Sequence, residues 1–130
     1  MHFLIADDHA NVRRGLSEIL ADAFAGSTFS QASTGLEILM LLGLSLPDFL
    51  LLDINMPGRS GLDVLKDVKA AHPQLPVIMV SVQPESQYAS RCLSAGAAAY
   101  INKTYASEDL VPAVSKVLCD LALSSRPHAA

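Results

Sequence analysis

The chain has 130 residues, 51% of them apolar and 17% charged, with no tryptophan. That is the size and composition of one globular domain with its own core, not of a disordered chain. A net charge of −4 with no basic run excludes a domain that grips nucleic acid through its phosphates.

Phe3-Leu4-Ile5-Ala6 predicts a short first strand that stops at Asp7-Asp8. Those acids come too soon for the apolar core of a signal peptide. Val12, Leu16, Ile19, Leu20 and Ala23 follow at helical spacing. A second strand is expected over Thr28 to Ala32. Thr34-Gly35-Leu36-Glu37 is a capping-box pattern that opens a leucine-rich helix reaching about Leu44. This helix is apolar nearly all round, so it is either core or an exposed partner patch, and its shortness favours core. The apolar stretch from Leu36 to Leu52 is broken by Gly43, Pro47 and Asp48, so no membrane span is expected.

Phe49-Leu50-Leu51-Leu52 reads as a third strand buried on both faces and closing on Asp53. After the loop Asn55-Met56-Pro57-Gly58-Arg59, Ser60 caps a helix with Leu62, Leu65 and Val68 inward, ending near His72-Pro73. Val77 to Val80 is the fourth strand. Pro84-Glu85 starts a helix that Gly96 stops. Ala98 to Asn102 is the fifth strand. Ser107 starts the last helix, with Leu110, Val114, Val117, Leu118 and Leu121 on one face. Pro112 is awkward there unless the helix begins late or kinks. Cys92 and Cys119 lie in helical stretches without a CxxC pair or Cys/His cluster, and are read as reduced, buried thiols of a cytosolic protein. The end of the chain, from residue 122 on, is linker-like.

The order is β-α five times over, which predicts a parallel sheet with helices on both faces. In such a sheet, ligands bind beyond the carboxyl ends of the strands. Asp7 and Asp8 follow the first strand, Asp53 the third, Ser81 the fourth and Lys103 the fifth. Each has a bland reading alone: a solvated helix start, a cap, a surface lysine. Their shared register argues for one site. Three carboxylates repel each other and call for a cation, and oxygen ligation favours Mg2+, with Mn2+ also possible. A carboxylate beside that charge can act as a nucleophile toward a phosphoryl group.

Ile5-Ala6-Asp7-Asp8-His9, Leu51-Leu52-Asp53-Ile54-Asn55-Met56-Pro57-Gly58, Val80-Ser81 and Ala95-Gly96-Ala97-Ala98-Ala99-Tyr100-Ile101-Asn102-Lys103 resemble the receiver domains of two-component response regulators. The likeness covers residues 2 to 121. Its wording is most similar to the subfamily whose receivers precede a LuxR-type helix-turn-helix domain. The resemblance implies a flavodoxin-like (βα)5 fold with strand order 2-1-3-4-5. It implies a receiver domain over residues 1–121, a tail over 122–130, and an output domain outside this chain. It makes Asp53 the acceptor of a phosphoryl group from a sensor histidine kinase. Mg2+ would be held by Asp8, Asp53 and the main-chain carbonyl of Asn55, with Asp7 acting largely through water. Lys103 and Ser81 would engage the phosphoryl group, and Tyr100 would be the switch residue, turning inward. A cytoplasmic protein, a weak homodimer through the first and last helices, and DNA contact only through the output domain are further implications.

The sequence departs from the family in three places. Thr104 follows Lys103 where many relatives have a cis proline, so a trans bond is expected and the loop is held differently. Val82 replaces a smaller residue, and Asn55 and Gln83 sit where self-dephosphorylation is tuned. The alternative function is a receiver fold that signals by binding alone, yet no acid and no lysine is lost. An aspartyl-phosphate phosphatase needs a second acid two residues after the nucleophile, where Asn55 stands. A flavodoxin needs a Ser/Thr/Gly-rich first loop, which is absent.

Overall fold

The structure is a computed structural model that describes residues 1–124; of the tail expected over 122–130, residues 122–124 complete the last helix and residues 125–130 lie outside the described residues. Strands β1 (His2–Ala6), β2 (Thr28–Ala32), β3 (Phe49–Leu52), β4 (Val77–Ser81) and β5 (Ala99–Asn102) alternate with helices α1 (Ala10–Ala23), α2 (Gly35–Leu44), α3 (Gly61–Ala71), α4 (Glu85–Ser94) and α5 (Ala106–Ser124). All pairings are parallel and the sheet order is β2-β1-β3-β4-β5. The fold is therefore flavodoxin-like, as expected.

Alternation along each strand splits the core in two. Leu4, Leu50, Leu52, Val77 and Met79 pack with Ile38, Leu42, Val64, Leu65, Val68 and Cys92 under α2, α3 and α4. Phe3, Ile5, Phe49, Leu51, Ile78, Val80 and Ile101 pack with Leu16, Leu20, Leu110, Val114 and Val117 under α1 and α5. Phe3 lies opposite Phe29 on β2 and Phe49 on β3, with ring centroids 5.7 and 5.4 Å apart. Pairing by large rings across three strands fixes the register, and a one-residue slip would turn them all to the wrong face.

The expected capping box is half present. The Thr34 side chain accepts from the Glu37 N–H at 3.2 Å, but Glu37 reaches one residue further back, where the Ser33 hydroxyl donates to it at 2.6 Å. Ser60 caps α3 by accepting from the Asp63 N–H. Gly96 has φ +106°, so α4 ends in the left-handed conformation that glycine takes without strain.

Three expectations need correction. First, α2 is not simply core: Ile38 and Leu42 are buried, while Leu36, Met40 and Leu44 are 69%, 62% and 83% exposed. A helix lying on one sheet face buries one stripe, and residues 36, 40 and 44 form the opposite stripe. Second, Cys119 is exposed and Cys92 alone is buried. Cys119 sits two positions after the inward Val117, roughly 200° round the helix. Third, α5 does not begin late. A turn of 3-10 helix at Lys103–Tyr105 leads directly into it, and Pro112 falls inside. Pro112 is exposed, so its ring and the carbonyl it leaves unbonded are on the solvent side. Leu121 is also 40% exposed, not part of the inner stripe.

Candidate functional site

The ladder delivers the polar residues to one edge. The Asp7 N–H donates to the Ala32 carbonyl and the Asp53 N–H donates to the Ala6 carbonyl, both at 3.0 Å. Each aspartate thus extends its strand by one residue, side by side in the middle of the sheet. Ser81 ends β4 opposite Asn102, and Lys103 follows on β5. Asp7, Asp53 and Ser81 are buried, at 1%, 3% and 0% exposure, while Asp8 and Asn55 are exposed.

Alternation sorts these residues. Asp7 and Asp53 continue the sequence of positions 3-5 and 49-51, and Lys103 continues 99-101, all on the α1/α5 side. The Lys103 Nζ lies 2.5 Å from Asp7 Oδ2 and 3.3 Å from Asp53 Oδ2. Among the described residues, Asp53 Oδ1 has no hydrogen-bond partner and Asp7 Oδ2 has only this ion pair. Burial holds the Asp53 carboxyl above the usual carboxylate range; Lys103 opposes that, Asp7 adds to it, and the Asn55 N–H opposes it. Two buried carboxylates sharing one ammonium, with an oxygen left over, leave negative charge that a hard divalent cation satisfies. By chemistry, then, the donor set fits Mg2+.

Among the described residues, the carboxylate and imidazole atoms that come within 4.8 Å of one another belong to Asp7, Asp8 and His9. Asp53 is not in that group; it is tied to Asp7 through Lys103. The site reading from sequence therefore has its residues on one edge, but as two sub-clusters, Asp7-Asp8-His9 and Asp7-Lys103-Asp53.

Ser81 and Tyr100 form a third group on the α2/α4 side. The Gln83 N–H donates to Ser81 Oγ at 3.2 Å, and the Tyr100 hydroxyl donates to the Gln83 carbonyl at 2.7 Å. Tyr100 already faces inward, at 8% exposure. Val82 is 62% exposed. No cis peptide occurs among the described residues. The Lys103 turn is held by Asn102, whose side chain accepts from the Thr104 N–H at 2.9 Å. That is how the loop is shaped without a proline.

Three positioning residues carried little sequence signal. The Arg13 side chain donates to the Asp7 carbonyl at 2.6 Å and to Gln31 Oε1 at 2.8 Å, tying α1 and β2 to the site. A Cβ on Gly61 would lie 1.9 Å from the Asp53 carbonyl oxygen, so only glycine lets α3 start this close to Asp53. His9 accompanies the acid pair, with Nδ1 beside the carboxylates of Asp7 and Asp8. An apolar cleft of about 470 Å3, lined by Leu46, Pro47, His72 and Leu75, lies at the opposite end of the sheet from these acids.

Residues 3–115 match the response regulator receiver domain family. The chain belongs to that family. It is a receiver domain 35% identical over 114 residues to the response regulator GacA of Pseudomonas aeruginosa, covering 88% of this chain and 53% of that one. It is 33% identical over 124 residues to the DNA-binding transcriptional regulator NtrC of Escherichia coli, covering 95% and 26%. The receiver thus spans about half or less of the length of these curated relatives. A CheY-like receiver domain of Methanospirillum hungatei superposes with a TM-score of 0.84 at 27% identity, covering 95% of this chain and 98% of that one. The response regulator TrrA of Thermotoga maritima, solved in complex with Mg(2+)-BeF, superposes with a TM-score of 0.78 at 30% identity over 88% and 96%. No helix among the described residues is long and apolar enough to cross a membrane.

Proposed function

We propose that this receiver domain takes a phosphoryl group onto Asp53 from the phosphohistidine of a sensor histidine kinase, with Mg2+, and so controls an output. The observation that carries this is the state of Asp53: 3% exposed, one oxygen facing Lys103 and the other without a partner. A buried carboxylate with a free oxygen on a strand end is a ready nucleophile. That oxygen attacks phosphorus; the P–O bond forms as the P–N bond to the donor histidine breaks. The electron pair leaves with the imidazole nitrogen, which takes up a proton.

Asp7, Asp8, Asp53 and the main-chain carbonyl of Asn55 are the residues that would hold Mg2+, Asp7 largely through water. When bound, the ion neutralises phosphoryl oxygens and the crowded carboxylates. Lys103, now shared by Asp7 and Asp53, turns to a phosphoryl oxygen and supplies positive charge there. The Ser81 hydroxyl donates to another. The same hydroxyl accepts from the Gln83 N–H, and the Gln83 carbonyl accepts from Tyr100, so a movement of Ser81 toward the phosphoryl group is passed along to Tyr100. Phosphorylation thus shifts the occupancy of an inward position that Tyr100 already holds. The Mg(2+)-BeF complex of TrrA, at 30% identity, supports the metal assignment.

The output we infer is transcription, through a DNA-binding domain outside this chain. Relatives that are transcriptional regulators support it, among them the transcriptional activator protein ExaE of Pseudomonas putida, 32% identical over 129 residues. The motif wording supports a LuxR-type output, a receiver boundary near residue 121, a cytoplasmic protein and a weak homodimer through α1 and α5. The test is incorporation of labelled phosphate from acetyl phosphate. Mg2+-dependent labelling that disappears in Asp53→Ala is the expected result. No labelling, or equal labelling in Asp53→Ala, contradicts the reading and leaves a module that signals by binding alone.

A further inference from the structure

His9 is the residue beside the acids that the reaction above does not use. Its backbone N–H donates to Asp7 Oδ1 at 2.9 Å, which fixes the ring next to the carboxylates. Nδ1 lies 2.9 Å from Asp8 Oδ1 and 3.3 Å from Asp7 Oδ1. His9 is the residue before α1, yet its side chain makes no capping bond to the helix; it is turned back to the acids instead. Its side chain is 69% exposed, so the ring can pivot without disturbing the core. Independently of this cluster, the neighbouring Asp53 is 97% buried with a partnerless Oδ1, which points to a cation on this edge.

We propose that His9 Nδ1 is a nitrogen ligand of the metal site and biases it toward first-row transition ions over Mg2+. The proposal rests on the metal-assisted reading above and adds the choice of metal to it. An all-oxygen set suits Mg2+, which keeps its waters and gains little from imidazole. Imidazole is a borderline donor whose bond strengthens along the series from Mn2+ through Co2+ toward Cu2+. Asp8 would supply an oxygen and Asp7 another, largely through water, and His9 the nitrogen from the same turn of chain. The two carboxylates together balance the charge of a divalent ion, so a neutral imidazole adds donor strength without excess charge.

The test is calorimetric titration of the metal-free chain with Co2+ and with Mg2+, in the wild type and in His9→Ala. The expected result is that the ratio of Co2+ to Mg2+ affinity falls about tenfold in the variant. The visible absorption of bound Co2+ should change with it, and excess Mg2+ should displace the wild-type Co2+ signal, which ties it to the shared site. An unchanged ratio with Mg2+ still bound overturns the role of His9 and leaves the phosphoacceptor reading intact. Tighter binding of both ions to the variant also overturns it, because the imidazole would then be a competitor. If neither ion binds the wild type, the metal-assisted reading fails together with the proposal.

Discussion

At the scale of the residue, the site is an electrostatic compromise. Asp53 is buried beside Asp7, and one lysine serves both. Burial raises the Asp53 carboxyl above its ordinary value, so the folded protein holds that proton more tightly than the unfolded chain does. The sign of the linkage follows: the folded state is favoured below the ordinary carboxylate value, and that advantage is lost as pH rises through the raised value. At neutral pH, ionised Asp53 therefore costs stability. In metal-free solution, Asp53→Asn should raise Tm by a few degrees at neutral pH. The gap to wild type should close as pH falls toward the carboxylate range, as followed by circular dichroism. A lower Tm for the variant at neutral pH would contradict this balance. Asp7, Asp8, Asp53, Ser81 and Lys103 were legible because each follows a strand, and strand ends share an edge in a parallel sheet. His9 and Arg13 were not, because a histidine after two acids or an arginine one turn into a helix has no pattern that marks its partner. Cys119 was misplaced because chemistry, not its angle on the helix, guided its reading.

At the scale of the element, close approaches matter more than propensity. Gly61 begins α3 against the backbone of Asp53, with room for no Cβ. Gly61→Ala must push α3 away from the strand end that carries Asp53, which should cost about 3 kcal/mol or more in denaturant unfolding and slow phosphoryl incorporation alongside. Unchanged stability would show that α3 shifts freely. The opposite holds for α2. Its outer stripe, Leu36, Met40 and Leu44, lies largely in solvent, and Leu44 is 83% exposed. Leu44→Glu should change stability by less than about 0.5 kcal/mol, whereas a loss of several would mean that this leucine is packed. The sequence could not separate the two faces of α2, since a helix apolar all round carries no periodic contrast. Where contrast exists, as in α1 and α3, the buried positions were legible: Leu16, Leu20, Leu65 and Val68. Pro112, awkward in sequence unless the helix begins late or kinks, sits inside α5 where the chain faces water, and its missing N–H is tolerated.

At the scale of the whole molecule, the two cores clamp a five-stranded sheet and leave its carboxyl edge as the place where buried charge collects. The sheet order follows from β-α alternation and right-handed crossovers only down to a handful of topologies; the receiver motifs selected one of them. Two chains of contacts start at this edge, one at Asp53 and one at Ser81. One runs through Lys103 to Asp7 and the start of α1. The other runs through Ser81 and Gln83 to Tyr100 beneath α4. A phosphoryl group on Asp53 would recruit both Lys103 and Ser81, and so pull on both helices at once. Everything in this account depends on the modified residue being Asp53. The direct measurement is to treat the chain with acetyl phosphate and Mg2+, reduce the acyl phosphate with borohydride, and map the converted side chain by peptide mass spectrometry. The account predicts conversion of Asp53 alone, abolished when Mg2+ is chelated. Conversion at Asp7 or Asp8, or none at any aspartate, would contradict it.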